Sequence, residues 1–378
     1  MANIQPTIRV NEPVIYPEAR TYVLDCLDTG WISSSGKYVK RFEEEFARFL
    51  DVEHAVSVTN GTEALHLALA TLGIGAGDEI IIPDLTIISC AFAALYVGAK
   101  PVLVDVDLKT GNIDPLKIEK CITPRTKAIM VVHLYGQAAD MDPIMKIARK
   151  HNLRVIEDAA EAHGATYKGK KVGSIGDIGC FSFYGNKIIT TGEGGMILMH
   201  DDVLYEKASL LMNLSHKHGR RFYHEELGFN MRMTNMQAAL GCAGLLHVKE
   251  SIEKKIWMAQ HYRELLSDIP WIELPQMMPY AESVFWMYTI LLKSNAPIKR
   301  AECMNLLQAL GVETRTYFYP LHLQPVLVRR FSYDQSMYPI STDLSERGLY
   351  LPSGLALTEE QIRAVSEKMH SIANAKKT

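Results

Sequence analysis

No two cysteines in this chain are spaced as CxxC. The six (Cys26, Cys90, Cys121, Cys180, Cys242 and Cys303) lie far apart, so a disulfide framework and a structural zinc site are both disfavoured, and reduced buried thiols are expected. No metal is expected. Positive charge is not in excess either: 40 Lys and Arg face 43 Asp and Glu, a formal net charge of −3. Nucleic acid is therefore not an expected partner, and a phosphorylated ligand would need a local cluster of donors. No apolar run approaches the roughly 20 residues that cross a bilayer, so no membrane association is expected. The start MANIQPTIRV shows no basic segment followed by an apolar block, so a secretory signal is not expected and the cytoplasm is the expected compartment. Internal repeats and a Gly/Ser/Pro-rich linker are missing. No GxGxxG follows the first strand, which disfavours a Rossmann dehydrogenase.

What is present is an ordinary globular balance of 48% hydrophobic and 22% charged residues over 378 positions. That length exceeds what one core usually supports, so two lobes are expected. The pattern places a large domain at 1–245 and a smaller one at 246–378. Short valine- and isoleucine-rich runs at 55–58, 79–82, 101–106, 127–133 and 153–157 alternate with helical segments. Continuous apolar strands separated by helices predict an α/β fold with a mostly parallel sheet covered on both faces. Two further strands, 179–184 and 195–199, flank the loop 185–194. A long polar helix over 247–267 leads to a second region with a strand at 286–292, a helix at 299–310, a strand at 313–318 and a final helix at 358–373. That region reads as a smaller α+β lobe.

Three segments carry chemistry. In Val155-Ile156-Glu157-Asp158-Ala159-Ala160-Glu161, Asp158 ends a buried strand, where open α/β sheets bind ligands. An isolated aspartate there is more often a helix cap, but it can also pair with a protonated pyridine nitrogen. In Cys180-Phe181-Ser182-Phe183-Tyr184-Gly185-Asn186-Lys187, the lysine follows an apolar strand and precedes a glycine-rich turn. A lone lysine is usually a solvated charge, yet one held in a cleft is desolvated and nucleophilic. Ser182 can offer its hydroxyl to a phosphate. Asn60-Gly61-Thr62-Glu63 opens a helix whose free N–H groups suit a phosphate. Phosphate cradle, ring-nitrogen partner and amine are together the contacts that pyridoxal 5′-phosphate requires.

The stretches NGTEALHLAL, VIEDAAEAHGA, FSFYGNKIITTGEGGM and FNMRMTNMQAAL resemble, in that order, the DegT/DnrJ/EryC1/StrS sugar aminotransferase family. The resemblance runs from Gly30-Trp31 to Leu351-Pro352-Ser353. It implies the aspartate aminotransferase fold (fold type I), pyridoxal 5′-phosphate, and a homodimer with shared active sites. It makes Lys187 the Schiff-base lysine and Asp158 the pyridinium partner. Gly61, Thr62 and Ser182 become phosphate contacts, Glu161 a contact to the ring hydroxyl, and Asn230 a phosphate contact offered to the other subunit. Trp31, Ser34, Arg315, Tyr319 and His322 fall on the substrate side. The family's usual aromatic ring cover is replaced by Ile87 in Pro83-Asp84-Leu85-Thr86-Ile87. His163 reads as packed structure.

The implied reaction is ping-pong transfer of an amino group from L-glutamate to a nucleotide-linked keto sugar. The TTGEGG sequence and the segment from Glu313 to His322 favour C4 of a GDP-linked 4-keto-6-deoxymannose, with UDP- or dTDP-linked sugars as alternatives. The place in metabolism would be polysaccharide (O-antigen) biosynthesis. A dehydratase branch carries histidine in place of the lysine, so Lys187 argues against it. Lys187 and Asp158 together argue against a non-catalytic regulatory member.

Overall fold

The computed structural model describes residues 8–216, 220 and 222–375. Its centre is a seven-stranded sheet: β1 (His54–Val58), β2 (Glu79–Pro83), β3 (Lys100–Val104), β4 (Thr126–Val132), β5 (Arg154–Asp158), β6 (Ile178–Ser182) and β7 (Gly195–Met199). The spatial order is β1-β7-β6-β5-β4-β2-β3. Neighbours among β2 to β6 run parallel, while β7 is antiparallel to both β1 and β6. The reason is local. The β6–β7 connection contains no crossover helix, and without one a chain returns antiparallel.

Helices α1 (Pro17–Asp28), α2 (Lys37–Leu50), α3 (Gly61–Thr71), α4 (Ser89–Tyr96), α5 (Met141–His151), α6 (Asp202–Met212) and α7 (Asn235–Leu246) accompany this sheet. In α2, Tyr38, Phe42, Phe46 and Leu50 recur every four residues and are all buried, the apolar stripe of a surface helix. Each phenylalanine buried this way contributes about 2–3 kcal/mol. Gly241 on α7 is needed here, because a Cβ would lie 2.6 Å from the Phe42 ring.

Helix α8 (Val248–Leu266) leads to a second sheet of β8 (Ile272–Glu273), β9 (Tyr288–Leu292), β10 (Arg315–Thr316) and β11 (Gly348–Leu351), in the order β8-β9-β11-β10. Helices α9 (Arg300–Ala309) and α10 (Glu359–Ala375) share its apolar cluster, which includes Tyr262, Tyr288, Leu351 and Met369. The two apolar clusters do not follow one cut in the chain at 245/246. Ile8 belongs to the second cluster, and its backbone bonds to Gly311 and Glu313. Conversely, Trp286, Tyr317, Leu321 and Leu344 belong to the first. No helix among the described residues is long and apolar enough to cross a membrane. All six cysteines are free, five of them buried.

Candidate active site

The carboxyl edge of the large sheet opens into a cleft of about 820 Å³. Its floor is built by β5 and the turn after it. Asp158, the last residue of β5, is buried and accepts hydrogen bonds from the Ala160 N–H at 3.1 Å and the Cys90 thiol at 3.3 Å. Burial raises the proton affinity of its carboxyl, against the Ala160 and Cys90 hydrogen bonds and the charge of Lys187. Its chain neighbour Glu157 points to the other side of the sheet. There it accepts bonds from His133 Nε2 at 3.0 Å and from the backbone of Gly173, Ile175 and Gly176. Burial alone would raise Glu157, but these donors, His133 foremost, bring it below the ordinary glutamate value. A strand directs successive side chains to opposite faces, so adjacent acids meet opposite environments.

Glu161 accepts the Tyr135 N–H at 2.7 Å. Tyr135 presents it from a left-handed backbone conformation, φ 53°. Burial pushes Glu161 up to about 7, opposed by the positive charge of Lys187. Lys187 lies in the β6–β7 connection, and its amine is shifted down by burial while Glu161 and Asp158 pull it up. Its Nζ sits 3.8 Å from the centroid of the Trp286 ring.

The third wall is the start of α3. Asn60 caps it by accepting the Glu63 N–H at 2.9 Å, which leaves the first-turn N–H groups of Gly61 and Thr62 without intrahelical acceptors. Thr62 donates its hydroxyl to Ser89 at 2.9 Å, and Ser182 lies against Gly61, where a Cβ would stand 2.7 Å from the serine Cβ. Hydroxyls, free N–H groups and a helix N-terminus converge here, a donor set suited to a phosphate. With an under-partnered acid on the floor and a desolvated lysine on the rim, the residues present fit pyridoxal 5′-phosphate.

The cleft thus brings together Gly61, Thr62, Ile87, Asp158, Glu161, Ser182 and Lys187. It also recruits residues that the sequence did not flag, among them Ser89, Trp286, Phe318 and Tyr350. Only Ser89 carried a local signal, a hydroxyl close after Ile87; the others arrive by tertiary folding. Trp31, Ser34, Asn230, Arg315 and Tyr319 do not line the cleft of their own chain. Trp31 is exposed and its carbonyl accepts from Asn235 at 2.6 Å. Ser34 is half-buried in the turn before α2, Asn230 accepts two bonds from Arg232, Arg315 pairs with Glu313, and Tyr319 is exposed.

One expectation is corrected. His322 does not face a substrate: it is buried, donates from Nδ1 to Asp84 at 2.7 Å, and stacks on Tyr338. His163 is enclosed by Phe46, Phe181 and Phe183, and burial pushes its imidazole down to about 3, so it is neutral.

Residues 13–370 match the model of the DegT/DnrJ/EryC1/StrS aminotransferase family. The chain is 48% identical to a GDP-perosamine synthase of Caulobacter vibrioides, covering 95% of this chain and 96% of that one. It is 41% identical to a GDP-perosamine synthase of Escherichia coli O157:H7, covering 98% and 99%. The solved structure of DesV from S. venezuelae superposes with a TM-score of 0.88 at 35% identity, covering 94% of each chain. The aspartate aminotransferase fold read from the sequence is the fold observed. The chain therefore belongs to the DegT/DnrJ/EryC1/StrS aminotransferase family and is a pyridoxal 5′-phosphate-dependent sugar aminotransferase.

Proposed function

We propose that this enzyme moves an amino group from L-glutamate to C4 of a GDP-linked 4-keto-6-deoxymannose, giving GDP-perosamine. The reaction type is carried by one observation, the meeting of Lys187, Asp158 and the Gly61–Thr62 helix start in a single cleft. The choice of sugar is supported by the names of the relatives, which share 48% and 41% identity over nearly the whole chain.

Gly61, Thr62 and Ser182 would hold the cofactor's phosphate, Asp158 its ring nitrogen, Glu161 its ring hydroxyl and Lys187 its aldehyde, with Ile87 covering the ring. When bound, pyridoxal 5′-phosphate supplies an electron sink for the carbon that loses its proton. Asp158, buried with only the Ala160 N–H and the Cys90 thiol as donors, would keep a proton at that nitrogen by its negative charge. The Lys187 amine would take the proton from the donor carbon in the first half of the exchange and, in the second, would deliver a proton to the sugar carbon that receives the nitrogen. A base fixed in the cleft makes this an effectively unimolecular step. The Tyr135 N–H, 2.7 Å from Glu161, holds the carboxyl where it would meet the ring hydroxyl.

The functional unit is read as a homodimer in the cytoplasm. Supporting the dimer, Leu24, Leu27, Trp31 and Ile32 form an exposed apolar group on α1 and the following turn, and Asn230 stands outside its own cleft.

Incubation with glutamate and a panel of GDP-, UDP- and dTDP-linked 4-keto-6-deoxy sugars, read by product mass, tests the assignment. Amination of the GDP sugar is expected. Preference for a UDP or dTDP sugar would refute the base, and amination of a 3-keto sugar alone would refute C4.

A further inference from the structure

Outside the cofactor contacts, the second lobe sends one aromatic side chain to the reactive lysine. Trp286, just before β9, lies under Lys187 with Nζ 3.8 Å from its ring centroid. Its indole Nε1 donates to the Asn186 carbonyl at 2.8 Å, the residue before Lys187. Its own carbonyl accepts from Lys255 Nζ on α8 at 2.8 Å. Lys255 is 2% exposed, also donates to the Ser353 carbonyl, and forms no ion pair among the described residues. Burial brings the Lys255 amine down to about 7, and an amine enclosed with only two carbonyls as partners is costly. What it secures is the position of the two backbone segments that carry Trp286 and Ser353.

We propose that Trp286 is the seat on which Lys187 rests while its freed amine carries a proton, and that Lys255 is the positioning residue that holds this seat. The inference rests on Lys187 being the reactive lysine. An aromatic face attracts an ammonium and not a neutral amine. Once the lysine has taken up a proton it is therefore retained in the cleft, beside the atoms that need the proton next. The charged and titratable groups facing Lys187 are Asp158 and Glu161 on the β5 side and neutral His163. Glu12 and Lys255 line a narrow gap behind it. The acids favour the ammonium, burial disfavours it, and the indole adds to the acids.

The test uses the full-length enzyme loaded with pyridoxamine 5′-phosphate, the form in which the lysine amine is free. Competitive acetylation of Lys187 is followed against pH by peptide mass. Trp286→Leu should lower the midpoint by about half to one pH unit, and Trp286→Phe by less, because a smaller ring remains. Lys255→Met should reproduce part of that shift but add nothing in the Trp286→Leu background; Lys255→Gln, whose amide keeps two N–H donors, should restore part of the parental value. A purely structural role would lower the melting temperature and leave the midpoint in place. An unmoved midpoint in Trp286→Leu overturns the seat. A Lys255→Met shift that persists in full without Trp286 overturns the link between them. Retention of the visible cofactor band in Lys187→Ala would instead sink the underlying reading of Lys187, a separate outcome.

Discussion

Two aspartates stand at equivalent places in the large sheet, and the fold treats them oppositely. Asp84 directly follows β2 and Asp158 ends β5; both are buried. Asp84 accepts from the His322 N–H at 2.8 Å, from His322 Nδ1 at 2.7 Å and from the Ser341 hydroxyl. Asp158 has one backbone N–H and a thiol, a weak donor. Strand position therefore does not distinguish a functional acid from a structural one. Unused acceptor capacity does: a buried carboxylate with too few donors is waiting for a charge that the chain itself does not supply.

The difference can be broken experimentally. The largest effect belongs to the cleft: Lys187→Ala should lower transamination by about three orders of magnitude or more and abolish the visible cofactor band, with the fold intact by circular dichroism. Next, Asp158→Asn should cut kcat by about two orders of magnitude while leaving chemical denaturation of the cofactor-free chain within about 1 kcal/mol of the parent. Asp84→Ala should do the reverse, losing about 3 kcal/mol of stability because it strands His322 and Ser341, with near-parental turnover per folded molecule. If both variants changed stability and turnover alike, the distinction between them would fail.

The same contrast explains what the sequence could and could not reveal. The strands were legible because a sheet covered on both faces needs continuous apolar runs, and β7 at Gly195–Met199 matches its expectation residue for residue. Residues on the β5, β6 and α3 ends were legible because each lies at a chain position that a parallel sheet sends to one edge. His322 was misread, since nothing local shows that its imidazole turns back onto Asp84. Trp286 was read as the start of a strand; only the docking of the second lobe places it against Lys187. Helix α1 went unread because its one buried stripe is short, with Ala19 and Cys26 its only buried residues.

Glu161 permits a subtler test of the open side of the comparison. Burial raises its folded-state value to about 7, above the ordinary value for an unfolded chain. Between about 4.5 and 7 the folded cofactor-free protein therefore binds more protons than the unfolded one, so stability contributed by this group falls as pH rises. Glu161→Gln carries no such proton. Its stability relative to the parent should grow with pH across that window, as read from urea midpoints at pH 5, 6 and 7. A constant difference would mean that Glu161 is not held protonated by burial.

The smallest effect concerns the loop that joins the two aspartates' neighbourhoods. Asp84 anchors the segment that carries Ile87, and Ile87 lines the cleft above Asp158 with 38% of its surface exposed. A branched aliphatic covers a ring by dispersion alone, whereas an aromatic adds an offset-stacking contribution of about 1 kcal/mol. Its exposure on the cleft wall means a larger side chain would extend into the cleft rather than into the core. Ile87→Phe should therefore slow cofactor loss on dialysis by about two- to tenfold, with kcat little changed. The gain requires a stiff loop, since a ring that must first be ordered forfeits part of its attraction to lost rotamer freedom. In the Asp84→Ala background the same substitution should give little or no gain. An equal gain in both backgrounds would show that the buried Asp84–His322 pair does not hold the cofactor's cover, and the two aspartates would then act independently.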